Sequence, residues 1–269
     1  MKKEFLDFLC CPICNSQFSL HALDESNGKI KTGSLACKSK KHTHIFKIEN
    51  FIPRFVRSPK YADSFGLQWN KFDKTQLDNK LFNESELRWD SEIGWNKEDL
   101  NNKTIIEFGS GAGRFIDLVS KRGADLAVGV DVTSAVDAAQ ESFKDRDNVF
   151  FIQADIFNPP IKRNYFDFGY SIGVLHHTPD PELAFRILTS LLNNKGQIGI
   201  SLYEIALFER PNRNSLKQST IELLWAINLW RVEFFRVFTT RLPKKIMIIY
   251  CLYFVPFLHY LNKIPFLRY

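Results

Sequence analysis

The sequence predicts an α/β protein: a doubly wound parallel sheet, preceded by a small metal-stapled module and followed by an apolar helical tail. Three observations predict it. Strand-like and helix-like runs alternate between residues 103 and 204. Four Cys and His residues with knuckle spacing fall before residue 56. Charge is partitioned along the chain: residues 1–56 carry nine Lys/Arg against five acids, residues 205–269 ten against three, and the stretch between them is net acidic. The 269 residues therefore divide into a module at 1–56, a connector at 57–102, a core at 103–204 and a tail at 205–269.

Composition narrows the function classes. With 45% hydrophobic and 25% charged residues the chain is globular rather than disordered. Five cysteines in 269 residues exclude a disulfide scaffold. A net charge of +6 is too mild to indicate nucleic-acid binding by itself. Glu4 and Asp7 interrupt the apolar run behind Met1-Lys2-Lys3, so no signal-peptide core forms. The longest uncharged apolar stretch, Ile246 to Leu258, contains Pro256 and is short for a bilayer span. The expected location is the cytoplasm, with the tail peripheral at a membrane.

In the first module, Cys11-Pro-Ile-Cys14 has the spacing that turns two thiolates toward one point. A tetrahedral zinc site needs two more ligands. Cys37 supplies the third, and His42 or His44 the fourth. His42 is preferred, because His44 adjoins the strand-like run Ile45, Phe46, Ile48. Cys10 is then a spare thiol. Residues 1–56 hold too few apolar residues for a sizeable core of their own, which makes a structural metal the expected staple. Scattered cytosolic cysteines are the bland alternative. The Cys-Pro-x-Cys knuckle, a second knuckle and then Ile48-Glu-Asn-Phe-Ile-Pro53 resemble the zinc-ribbon domain that occurs alone as a methyltransferase activator or fused in front of such enzymes. The usual second knuckle is Cys-x-x-Cys; here it is stretched and ends in His.

In the core, Thr104–Phe108 reads as a buried strand, followed by Gly109-Ser-Gly111-Ala-Gly113 and a helix from Arg114 to about Lys121. Further strands are expected at 127–131, 148–154, 166–172 and 197–203, with a helix over 181–192. Sheets of this kind bind ligands at the carboxyl ends of their strands. The dinucleotide fingerprint needs a glycine at position 114, which is Arg114. Glu107 would repel a phosphate and attract a cation. Asp131 can take ribose hydroxyls and Asp155 an adenine amino group. Such an acidic pocket suits S-adenosylmethionine.

Four ordered motifs, Ile106-Glu-Phe-Gly-Ser-Gly-Ala-Gly-Arg-Phe115, Gly129-Val-Asp131, Gln153-Ala-Asp155 and Ser171-Ile-Gly-Val-Leu-His-His-Thr-Pro-Asp180, resemble the class I S-adenosylmethionine-dependent methyltransferases. The resemblance covers residues 103–204 and implies a Rossmann-like methyltransferase sheet. It implies that Glu107, Gly109, Gly111 and Gly113 line the methionine part, Asp131 the ribose and Asp155 the adenine. Ser171, opening the last motif, is counted with the cofactor-binding residues. That motif is typical of the branch that methylates small metabolites and lipid-linked quinones. Asn158-Pro-Pro160 resembles a base-methylation motif but follows the third strand instead of the fourth, so it is set aside.

His176 and His177 follow the fourth strand and are the candidate general bases, with His177 preferred. In the connector, Gln68, Trp69, Phe72 and Arg88 are candidates for a lid over the cofactor; ordinary helix packing is the alternative. The Phe65-Gly-x-Gln-Trp69 block looks like that of zinc-ribbon-fused bacterial methyltransferases of polysaccharide or lipid biosynthesis. The hairpin that normally completes the class I sheet is not found after residue 203: the tail reads as helices over 221–238 and 245–261, which either replace it or belong to a truncated form. Arg231, Arg236, Arg241, Lys244 and Lys245 among apolar residues suit an anionic membrane surface, a substrate lid or a homodimer interface. The expected acceptor is a small molecule or a lipid-linked precursor. Ribosomal RNA and a non-catalytic scaffold role are the alternatives, and a nucleic-acid partner is disfavoured because the base-binding motif is missing.

Overall fold

A computed structural model describes residues 1–39, 44–56, 63–72, 75, 77–78, 83–203, 237 and 241–254. Met1–Glu204 is one compact unit and Ile205–Tyr269 a second. Within the first, nine strands form one sheet: β1 (Phe18–Ser26), β2 (Lys29–Cys37), β3 (Ile45–Glu49), β4 (Ile52–Arg54), β5 (Thr104–Phe108), β6 (Leu126–Asp131), β7 (Val149–Gln153), β8 (Phe166–Ile172) and β9 (Leu192–Ser201). Their order is β1-β2-β3-β4-β7-β6-β5-β8-β9. The first four are antiparallel and the last five parallel, so β7-β6-β5-β8-β9 is the doubly wound core and the ribbon strands extend its β7 edge. The join is a parallel bridge of Arg54 to Gln153, reinforced by Arg54 Nη1 donating to Gln153 Oε1 at 2.8 Å and by an ion pair with Asp137.

The helices are α1 (Asp63–Lys71), α2 (Glu84–Glu92), α3 (Lys97–Leu100), α4 (Arg114–Lys121), α5 (Ala135–Ser142) and α6 (Pro181–Ser190). Period-two alternation along the buried strands sorts the core onto two faces. Ile105, Ala127, Val149, Phe151 and Phe168 pack with α4, α5 and Trp89 of α2. Ile106, Val128, Phe150, Ile152 and Phe166 pack on the other face with α6 and with the ribbon's Met1, Phe5, Phe8, Leu9, Phe18, Ile30 and Leu35.

This second face corrects the expectation that the ribbon must be stapled because it cannot build a core. The connection from β7 to β8 contains no helix, and the N-terminal turn Lys3–Asp7 with its following residues takes that place. Leu9 bridges Ile161, Lys162 N–H donates to the Phe8 carbonyl at 2.8 Å, and Cys10 N–H donates to the Pro160 carbonyl at 2.9 Å. Pro160, which ends the Asn158-Pro-Pro160 segment, and the two residues after it thus form a docking rail for the ribbon. Phe8 lies against Phe150, Tyr165 and Phe166, and burial of each such side chain contributes roughly 1.5–3 kcal/mol.

In the second unit, α7 (Lys244–Ile249) continues into a wider π turn at Tyr250–Phe254. Ile246, Ile249, Tyr253 and Phe254 are exposed there. The expected helix over 221–238 lies outside the described residues except for Val237, as does the end of the expected 245–261 helix. Among the described residues, no helix is long and apolar enough to cross a membrane, and β9 is the outer strand on its side of the sheet.

Candidate active site and metal centre

A cavity of about 430 Å³ opens at the carboxyl ends of β5, β6, β7 and β8. Glu107, Gly109, Gly111, Asp131, Asp155 and His177 all line it. Gly113, Ser171 and His176 do not. Gly113 has φ +83° and begins the α4 turn; a Cβ there would sit 2.7 Å from Phe143 and 3.0 Å from Phe151. Its backbone conformation and its packing both require glycine there. The Ser171 hydroxyl is fully buried and donates to the Phe108 carbonyl at 2.9 Å, fastening β8 to β5.

Asp131 organises the cavity floor. Its Oδ2 accepts from Gly111 N–H at 2.8 Å; its Oδ1 accepts from Thr133 N–H at 2.8 Å and Thr133 Oγ1 at 2.7 Å. A carboxylate offers about four acceptor positions, so about one remains for a ligand hydroxyl instead of the expected pair. Burial pushes its carboxyl upward, against the bonds from Thr133 and Gly111. Glu107 is also fully buried. Burial raises its carboxyl well above the usual range, only partly offset by the Tyr170 hydroxyl donating to Oε2 at 3.2 Å and reinforced by the charge of Asp131. A cation entering the cavity would be attracted by both groups. Asp155 lines the cavity, with Oδ1 accepting from Phe157 N–H at 2.9 Å in an Asx turn, and Oδ2 takes no part in that turn.

The connector supplies the cavity's other wall. Trp69 and Arg88 line it, as does Phe65, whereas Gln68 and Phe72 do not. The Trp69 indole Nε1 lies 3.5 Å from where a Cβ on Gly111 would stand. Asn70 Nδ2 anchors α1 to the Ser134 carbonyl at 2.8 Å. Thr133 and Tyr203 were not anticipated from the sequence. Thr133 had a signal, a hydroxyl residue two places after a strand-terminal acid, which is the spacing of a local side-chain to backbone turn. Tyr203 had none.

His177 is exposed at the cavity mouth, with its ring centroid 4.0 Å from that of His176. The His176 ring lies 4.5 Å from Tyr203, and neither of its nitrogens has a hydrogen-bond partner. Burial, and next the neighbouring His177, push His176 below its ordinary pKa. The His176 ring packs against those of His177 and Tyr203, which both line the cavity.

In the ribbon, Cys11, Cys14, Cys37 and His44 bring their ligand atoms within 4.8 Å of one another. The His44 Nδ1 to Sγ distances are 3.5, 3.9 and 3.5 Å for Cys11, Cys14 and Cys37. Tetrahedral zinc with Zn–S of about 2.3 Å and Zn–N of about 2.0–2.1 Å requires S···N edges of about 3.6 Å, so the donor set fits. His44 occupies the position expected for His42, which lies outside the described residues. The adjacent strand, taken from the sequence as a reason against His44, is what delivers it. Pairing of Ala36 with Ile45 places His44 opposite Cys37, whose N–H donates to the His44 carbonyl at 2.9 Å. Cys10 stands apart from the set, its thiol pushed up to about 11 chiefly by burial.

The parallel sheet, the glycine loop after β5, the carboxylate after β6 and the cavity above them form the arrangement expected of a class I S-adenosylmethionine-dependent methyltransferase domain. Residues 106–200 match the family model described as a methyltransferase domain. The chain is 25% identical over 210 residues to a tRNA U34 carboxymethyltransferase of Ruthia magnifica subsp. Calyptogena magnifica, covering 72% of this chain and 64% of that protein. It thus spans less than two thirds of that relative's length. Among solved structures, a Methanococcus maripaludis protein with a provisional assignment as an S-adenosyl-L-methionine-dependent methyltransferase aligns with TM-score 0.44 and 22% identity, over 55% of this chain and 67% of that one. The trans-methyltransferase CalH in complex with SAH aligns with TM-score 0.36 and 24% identity, over 39% and 33%.

Proposed function

We propose that the chain transfers a methyl group from S-adenosylmethionine to a small molecule or a lipid-linked precursor, with a structural zinc ion in the ribbon. The observation that carries this reading is the convergence of Glu107, Asp131 and Asp155 on one cavity of ligand size, with His177 at its mouth. S-adenosylmethionine, when bound, supplies a methyl group activated by a sulfonium. Asp131 accepts from a ribose hydroxyl, Asp155 from the adenine amino group, and Glu107 complements the positive charge at the methionine end. Methyl transfer to a nucleophile is an in-line displacement, so the walls contribute mainly by holding the partners in line and excluding water. Trp69 and Phe65 serve that purpose. His177 takes the proton of a hydroxyl acceptor, which is the task an imidazole performs near neutral pH. Three thiolates and an imidazole at tetrahedral spacing support zinc in the ribbon, and all four positions being filled by protein supports a structural role.

The test is calorimetric titration with S-adenosylmethionine and its demethylated product SAH, followed by radiolabelled methyl transfer to candidate acceptors. The His177→Ala variant should lose about 10²–10⁴-fold in turnover with a hydroxyl acceptor, while His176→Ala should lose far less. Equal turnover by wild type and His177→Ala would remove the base assignment, and absence of cofactor binding would remove the activity. An RNA acceptor is the second reading. It is favoured by the carboxymethyltransferase relative. A salt-dependent gel shift with tRNA would favour RNA; its absence would favour the small acceptor.

A further inference from the structure

Two guanidinium groups line the cavity, those of Arg88 and Arg114, whereas the cofactor proposed above carries one carboxylate. Arg114 opens α4 directly behind the glycine loop, and its Nε donates to Ser85 Oγ at 2.8 Å. It stands where the loop would receive the cofactor's amino-acid end. Arg88 stands on another wall. It rises from α2, and its Nε donates to Glu92 Oε1 at 2.6 Å, one turn further along the helix. That bond fixes the guanidinium by one edge; the Tyr203 phenol also pairs with it, and the remaining terminal N–H groups are left for other acceptors. The guanidinium also lies over the Phe115 ring, 5.8 Å from its centroid.

What the terminal nitrogens face is set by Gly173, at the end of β8. An Arg88 terminal nitrogen lies 3.4 Å, and the Tyr203 hydroxyl 3.1 Å, from the point where a Cβ on Gly173 would stand. Any side chain at 173 would press on both guanidinium and phenol, and its φ of +71° is itself unfavourable for other residues. Arg88, Gly173 and Tyr203 line the same cavity as His177, Thr178 and Pro179, and His177 is the base proposed above for the acceptor. A planar fork of donors beside a phenol hydroxyl is suited to a carboxylate or a phosphate.

We propose that Arg88, steered by Glu92 and assisted by the Tyr203 hydroxyl, binds an anionic group of the methyl acceptor, a carboxylate or a phosphate, and so selects acidic acceptors. This rests on the methyltransferase reading above. It makes Arg88 and Tyr203 specificity residues and leaves the cofactor's own carboxylate to Arg114.

The full chain is titrated with SAH as wild type, Arg88→Gln, Tyr203→Phe and Arg114→Gln. Inorganic phosphate and acetate are then titrated separately into each SAH-saturated protein, followed by the indole resonances. Arg88→Gln and Tyr203→Phe should keep SAH affinity within about threefold. They should weaken binding of the preferred anion, by about tenfold or more for Arg88→Gln, the size expected for loss of a charge-assisted pair. Arg114→Gln should lose SAH affinity by about tenfold or more. Stronger binding of phosphate identifies a phosphorylated acceptor class, and of acetate a carboxylated one. The proposal is overturned if the wild-type SAH complex takes up neither anion, if Arg88→Gln binds it as wild type does, or if Arg88→Gln itself loses SAH affinity tenfold, which would assign Arg88 to the cofactor. Should Arg88→Gln not fold, Tyr203→Phe decides: unchanged anion binding overturns the proposal. Failure of wild type to bind SAH at all is read in the first titration and removes the methyltransferase reading itself.

Discussion

Asp131→Asn isolates the part of the proposed cofactor pocket that the protein builds for itself. Each carboxylate oxygen of Asp131 accepts from a different backbone N–H, Gly111 on one side and Thr133 on the other, both at 2.8 Å. An asparagine has the same shape but one acceptor oxygen, so whichever way its amide is turned, one of these N–H groups faces an NH₂. A buried donor left without an acceptor costs about 1–3 kcal/mol. Relief of a desolvated carboxylate offsets part of that loss, because burial disfavours the charged form of Asp131. The net loss of folding stability should therefore fall in the lower half of the range. Cofactor affinity should fall further. The remaining acceptor position, charge-assisted in the wild type, is worth about 1.5–3 kcal/mol, or roughly ten- to a hundredfold in Kd. Displacement of Gly111 adds to the loss. Calorimetry with SAH and urea unfolding of the apo protein measure the two effects separately. Wild-type SAH affinity in Asp131→Asn would refute the pocket assignment. Unchanged stability with unchanged affinity would refute the hydrogen-bond geometry as well.

Three further outcomes are expected. The purified chain should contain one zinc ion, and Cys14→Ser or chelation should lower the melting temperature of the whole Met1–Glu204 unit, because ribbon and core share apolar side chains; elemental analysis without zinc, or a separate ribbon transition in calorimetry, would contradict this. Glu107 is raised above its unfolded value, so the folded apo protein binds more protons than the unfolded chain, and stability should fall as pH rises through the raised pKa. A cation favours the ionised form, so S-adenosylmethionine affinity should rise with pH over the same window, and Glu107→Gln should flatten both slopes; parallel pH profiles for variant and wild type would argue against the role of Glu107. The tail, with no acid after Glu233 and six Lys/Arg beyond it, should pellet with anionic vesicles at low salt and be released by salt; a folded protein that stays in the supernatant would leave lid or dimer contact as its role.

The central strands, the glycine loop and the acids after it were legible in the sequence because each is local. Thr104–Phe108 is a run of buried residues closed by glycines, and Asp131 and Asp155 stand where successive strands stop. The knuckle Cys11 to Cys14 is equally local. The fourth metal ligand was not, because it depends on register. Sequence spacing offered His42 and His44, and antiparallel pairing of β2 with β3 placed His44 against Cys37. The same limit applies to the cavity wall. Arg88 and Tyr203 are 115 positions apart and meet over Gly173 only because α2 packs beside the ends of β8 and β9. Gly113 and Ser171 carry the motif, yet tertiary packing turns one toward Phe143 and the other toward the Phe108 carbonyl. The sequence alone determined which chemistry-bearing residues the loops present, through strand periodicity and turn residues that act over a few positions. The tertiary structure alone decided that the ribbon supplies the apolar cover missing between β7 and β8, since contact between Phe8 and Phe150 is a matter of burying surface across the chain, and no local pattern records which distant surface that will be.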